Sequence, residues 1–214
     1  LSILVFAIGF TGLRYFKVSA SWEDYFLEDD PMLVKTEEFK DIFGNDNFAA
    51  VLTRCDNLFT KENLQLIREL TNEMMDSLSY ADKITSLTDI EFMVGSEEGM
   101  TIEQIVPETI PSDPAQLEEI RHKAYLKPHV AERLVSKDGT LSWIILKLRT
   151  FPEDSVWNKG KNAVAPEVLT GNELEHIITK DKYQKLHPKG TGLPYVTAMK
   201  MNWISKEMPR VLGI

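Results

Sequence analysis

Two strand–helix–strand stretches, one on each side of a long irregular segment, predict an α+β fold. In that order they suggest a ferredoxin-like split βαβ sandwich, an antiparallel sheet with helices on one face. The irregular segment, about 90–128, is read as a large insertion. A strongly apolar start and an amphipathic end add flanking, membrane-proximal helices. With 214 residues, 43% of them hydrophobic, the chain is long enough to bury a substantial core.

The opening run Leu1–Leu13 carries no charge before Arg14 and has no initiator methionine, as expected of a piece of a longer protein. A membrane span needs about 20 apolar residues, so residues 1–17 are read as the C-terminal half of a transmembrane helix. Arg14, Tyr15 and Lys17 would then sit at the interface. A signal peptide cut after Val18-Ser19-Ala20 and a buried core helix are the competing readings. Residues 18–190 form the expected globular domain, and 191–214 an amphipathic helix leading to the next membrane span.

Asp30-Pro31 supplies a cap and a first-turn proline for a helix in which Leu33, Phe39, Ile42 and Phe43 share a face. Gly44 and Asn45-Asp46-Asn47 end it in a turn, and Phe48–Cys55 reads as a strand. Thr60 then caps a helix whose Leu64, Ile67, Leu70, Thr71, Met74 and Leu78 recur at three- and four-residue spacing. Lys83–Thr88 is a short alternating strand. The insertion holds the apolar pieces Phe92-Met93-Val94 and Ile102, Ile105, Val106, and an acidic helix over Asp113–Leu126. A connection of that length is functional or disordered, and its apolar content argues against disorder. Asp138-Gly139 between Glu132–Ser136 and Leu141–Arg149 predicts a hairpin. Phe151–Pro166 is a polar loop, Glu167–Tyr183 a second helix, Tyr183–Pro188 a last strand and Gly190-Thr191-Gly192 a break. Pro194 opens the closing helix, which carries Tyr195, Val196, Met199, Trp203 and Ile204 through Met208.

The residues make no case for an enzyme. His122, His129, His176 and His187 form no zinc-ligand spacing, so neither metal nor cofactor is expected. Gly190-Thr191-Gly192 lacks the third glycine and the Lys-Ser/Thr of a phosphate loop. Glu97-Glu98 and Glu118-Glu119 read as solvated charge rather than a carboxylate dyad or calcium site. Cys55, the one cysteine, reads as a small buried residue. A net charge of -9 and no basic run argue against a nucleic-acid partner.

Tyr25-Phe26-Leu27-Glu28-Asp29-Asp30-Pro31, after an apolar span and before Phe39 and Phe43-Gly44, resembles the first loop of resistance–nodulation–division (RND) exporters of the MMPL type. Glu28 stands where that family most often has proline. Gly192-Leu193-Pro194 and the helix after it resemble the approach to the second membrane helix, so the ordered pattern spans nearly the whole chain. The resemblance implies a porter domain on the periplasmic side of the cytoplasmic membrane, handling hydrophobic or lipid-like substrate. Its partners would be the membrane helices and a second porter-like loop of the same transporter, and a homo-oligomer is admitted. The family's proton-relay carboxylates lie in later membrane helices, so no site residue transfers to this chain.

Phe92, Met93, Val94 and Met100 are the candidate substrate-facing flap, because methionine and phenylalanine suit promiscuous apolar recognition. The competing reading is that they pack the insertion onto the sheet. The rival functions are a membrane-anchored extracytoplasmic ligand-binding or sensor domain and a soluble α/β enzyme.

Overall fold

A computed structural model describes residues 27, 30–43, 47–96, 99–152, 154–157 and 163–212. The apolar run Leu1–Leu13, most of Tyr25–Pro31, the turn at 44–46 and Glu97-Glu98 lie outside the described residues. Among the described residues no helix is long and apolar enough to cross a membrane. The chain divides into two units, 1–42 and 43–214. The first carries nearly all of helix α1 (Pro31–Phe43), started as expected: Asp30 accepts a hydrogen bond from the Met32 amide at 2.8 Å. Met32 and Phe39 are exposed on it.

The second unit runs β1 (Phe48–Arg54), α2 (Lys61–Ser77), β2 (Ala81–Thr85), β3 (Glu91–Ser96), β4 (Gly99–Gln104), α3 (Pro114–Leu126), α4 (Pro128–Ala131), β5 (Leu141–Leu148), α5 (Asp154–Trp157), α6 (Pro166–Ile178), a 3-10 helix (Asp181–Leu186), β6 (Lys189–Thr191) and α7 (Leu193–Leu212). Four strands form an antiparallel sheet in the order β2-β5-β1-β6, and β3 and β4 form a separate two-stranded hairpin. The chain is therefore α+β.

Alternation along the central strands decides which face is buried. Ala49, Val51, Ser142, Ile144, Leu146 and Leu148 are buried on one side. The stripe Leu64, Ile67, Leu70 and Met74 of α2 joins the same core, with Leu174, Ile177 and Ile178 of α6. Thr60 caps α2 by accepting from the Asn63 amide at 3.2 Å. Alanine at Thr60 is expected to cost about 1 kcal/mol, read as a lower denaturant midpoint with an unchanged slope. Cys55 sits in this core, and burial pushes its thiol upward in pKa, the opposite of what a nucleophile needs.

Several expectations are corrected. Glu132–Ser136 is not a strand: the Leu134 and Val135 amides close back onto the Val130 carbonyl, and only Val135 bridges to Ser142. The Asp138-Gly139 turn survives as a side-chain-closed loop, in which Ser136 Oγ accepts from the Leu141 amide at 2.9 Å and Gly139 takes φ 71°. Tyr183–Pro188 is not the last strand. Tyr183 and Leu186, three apart, are both fully buried by 3-10 winding, and His187 ends that helix in the left-handed region at φ 41°. The last strand is instead Lys189-Gly190-Thr191, overlapping the Gly190-Thr191-Gly192 stretch read as a break, and the preceding α-helix stops at Ile178 rather than Tyr183. Lys83–Thr88 is strand only to Thr85, because Ser86 Oγ accepts from the Thr88 amide at 3.2 Å and turns the chain.

Helices α6 and α7 lie against each other. Tyr195 donates to Glu175 at 2.7 Å across them, and burial, then this bond, pushes the phenol up to about 12. A Cβ on Gly190 would stand 2.6 Å from the Tyr195 ring. The glycines of Gly190-Thr191-Gly192 thus serve close packing rather than a phosphate.

Candidate functional site

The insertion is a built structure. Its hairpin β3–β4 pairs only with itself among the described strands, with Met93 directly opposite Ile102 and Phe92 opposite Glu103. Side chains on a strand alternate between faces, so the candidate flap residues do not form one surface. Phe92 is half-buried against the core, with the Lys127 ammonium 5.0 Å from its ring centre. Met93, one residue on, is 77% exposed, and its cross-strand partner Ile102 is 68% exposed. Phe92 therefore packs against the core, while Met93 projects with Ile102. The side chains of Val94 and Met100 lie outside what is described; the register sets them opposite Thr101 and Gly95. Ile102 was missed as a site residue. The signal for it was the period of two over Met100-Thr101-Ile102-Glu103, a strand opposite Phe92-Met93-Val94.

Below the hairpin, the segment leading to α3 is tied to α2. Arg68 donates to the main-chain carbonyls of Val106 at 3.1 Å, Pro107 at 2.9 Å and Glu108 at 2.5 Å, and Lys61 donates to Ser112 Oγ at 2.8 Å. Ile105, Val106 and Ile110 are buried beside these ties. A cleft of about 370 Å³ opens here, lined by Arg68, Asn72, Thr88, Asp89, Gln104 and Glu108. Burial raises the Asp89 pKa, and the Glu91 carboxylate raises it further, against Arg68 and Lys83. A second cleft of about 430 Å³ shares Gln104 with the first and is lined by Pro107, Pro111, Ile120 and Lys123 among others. Both lie toward the lower end of the size of small-ligand sites, and every residue lining the first is polar or charged.

The remaining sequence candidates stay apart. The four histidines are all exposed, and no group of potential metal ligands occurs among the described residues. Glu118 and Glu119 pair with Arg121 and Lys123 along the surface of α3. Such exposed pairs contribute little. Among the described residues no nucleophile, base and orienting group are joined by hydrogen bonds. The feature that stands out is the outward apolar pair Met93–Ile102 on a hairpin held by its other face. No protein-family model matches the chain, and no curated protein matches it significantly.

Proposed function

We propose that this chain is the substrate-handling porter domain of a proton-driven exporter of the RND superfamily, MMPL type, moving hydrophobic or amphipathic compounds or lipids. Its core is then the ferredoxin-like split βαβ sandwich. Strand order supports that reading. Counted along the chain, the sheet strands β1, β2, β5 and β6 lie side by side as fourth, first, third and second, all antiparallel, with α2 and α6 as the two connecting helices. The domain belongs on the periplasmic side of the cytoplasmic membrane, and it works with the membrane helices and a second porter-like loop of the same transporter. Proton coupling stays in those helices, and no residue here is catalytic.

The observation that carries the handling role is the Met93–Ile102 pair, two large apolar side chains on the outward face of a hairpin that is anchored through Phe92. Methionine adapts its shape to varied apolar ligands. The test uses the intact transporter in cells loaded with a hydrophobic dye. Efflux should require the proton gradient and fall severalfold in the Met93→Ser, Ile102→Ser double variant. The same changes should alter folding stability by no more than about 0.5 kcal/mol per site, because both side chains are exposed. Unchanged efflux in that variant removes the hairpin from substrate handling; efflux indifferent to the gradient overturns the exporter reading.

A further inference from the structure

The sheet has a second face. On it the registered rows are Lys83, Lys147 and Phe48; then Thr85, Ile145, Ala50 and Thr191; then Trp143, Leu52 and Lys189; then Leu141 and Arg54. Apart from Ala50, none of these side chains is fully buried, whereas their neighbours on the core face are. The centre is aliphatic and aromatic: Leu52, Trp143, Ile145 and, toward one end, Phe48. The charged positions are all basic: Arg54, Lys83, Lys147 and Lys189, all exposed, on a chain whose net charge is -9. Four cations far apart in sequence are gathered by the strand order onto one apolar face.

Lys83 and Lys147 are direct cross-strand partners. Like charges in that relation repel and weaken a sheet. The relief within the chain is slight. Asp82, in the bulge of β2, reaches Lys147 at 4.0 Å with both groups about half exposed, and Asp89, after β2, also acts on Lys83. An anion spanning the two ammonium groups would turn the repulsion into two charge-assisted hydrogen bonds. An apolar body attached to that anion would lie along Ile145, Leu52 and Trp143.

We propose that this open face binds single amphiphile molecules with an anionic headgroup, the headgroup on Lys83 and Lys147 and the chain over Ile145, Leu52 and Trp143. A single-stranded nucleic acid fits less well. The two aromatic rings of the face, Phe48 and Trp143, are separated by the row of Ala50 and Ile145 rather than forming one stacking platform, and the acidic chain repels a polyanion. The proposal stands apart from the exporter reading: it concerns what the sheet binds, whatever the parent protein does with it.

The test is calorimetric titration of the full 214-residue chain with dodecanoate below its micelle concentration, with dodecyl maltoside as the neutral headgroup and a single-stranded oligonucleotide as the polyanion. Dodecanoate should bind, and the Lys83→Gln, Lys147→Gln variant should bind it at least about tenfold more weakly, the loss of roughly one charge-assisted bond's worth of affinity. That variant should fold as well as the parent, since it removes a repulsion between exposed groups. Equal binding of dodecyl maltoside, an undiminished dodecanoate affinity in the variant, or Lys-dependent binding of the oligonucleotide in place of dodecanoate would each overturn the proposal. Dodecanoate binding alongside failed efflux would leave this site standing and remove only the exporter.

Discussion

Replacing Gly171 by alanine is expected to destabilise the chain by about 2–3 kcal/mol, the cost of overpacking a tight contact. On an exposed helix the same change stabilises by about 1 kcal/mol, so the sign itself is diagnostic. Gly171 lies within α6 where α7 crosses it. A Cβ built there stands 2.3 Å from the Pro194 carbonyl oxygen and 2.5 Å from the Ala198 Cβ. The first obstacle is main chain and has no rotamer to escape into, so α6 and α7 must separate. Separation loosens the contact around Thr170, Leu174 and Ala198, all buried. Adding Ala198→Gly should recover only part of the loss, because it clears one obstacle and leaves the carbonyl. Urea unfolding reads both variants, and a Gly171→Ala protein as stable as its parent would show that the two helices are free to slide apart.

The second large effect is expected at Glu73, on α2. Its carboxylate is only 16% exposed and accepts from Lys180, from Lys182 at 2.7 Å and from the hydroxyl of fully buried Tyr183 at 2.6 Å. Burial alone would raise its pKa; the hydrogen bonds from Lys180, Lys182 and Tyr183 override burial and hold it at about 2. The same carboxylate, after burial, helps push the Tyr183 phenol up to about 12. The folded pKa lies below the ordinary glutamate value of about 4.3, so this stabilisation is complete above that value. It is lost as pH falls from there toward about 2. Discounted for the partly exposed lysines, it amounts to about 2 kcal/mol. Glu73→Gln should cost that much at pH 7 and little near pH 2, so the two stability curves converge in acid. Parallel curves over that range would place the carboxylate outside the acid response.

Helix α2 was legible because three independent signals agree there: the Thr60 cap, the apolar stripe at helical spacing and the absence of glycine or proline. The end of the domain was not. Tyr183 carries strand propensity, but it and Leu186 are buried three apart, which 3-10 winding serves and a strand does not. Conversely Gly190 and Gly192 look like a break, yet their missing side chains let β6 lie under Tyr195 and let the chain pass the Phe48 carbonyl, 2.4 Å from where a Gly192 Cβ would be. Tertiary contact decided both, and local pattern cannot report it. The insertion was visible as an anomaly of length and apolar content, but its two faces were not, since the register pairing Met93 with Ile102 is a property of the folded hairpin. The basic face was invisible for a similar reason. Arg54, Lys83, Lys147 and Lys189 form no run in the sequence, and only the strand order gathers them.

That order also imposes a schedule on synthesis. β1 is a central strand, but its partners come late: Phe48 pairs with Lys147, and Ala50 with Thr191. At a translation rate of about 5–20 residues per second, roughly 5–20 s separate the appearance of Phe48 from that of its first partner. During that interval Ala49-Ala50-Val51-Leu52 is an apolar segment with both edges open, the kind of segment that misassociates when another chain is near. α2 and β2 emerge early but cannot close those edges, since β2 pairs with β5 and not with β1. The nascent chain therefore carries its future centre unpaired until β5 has been made.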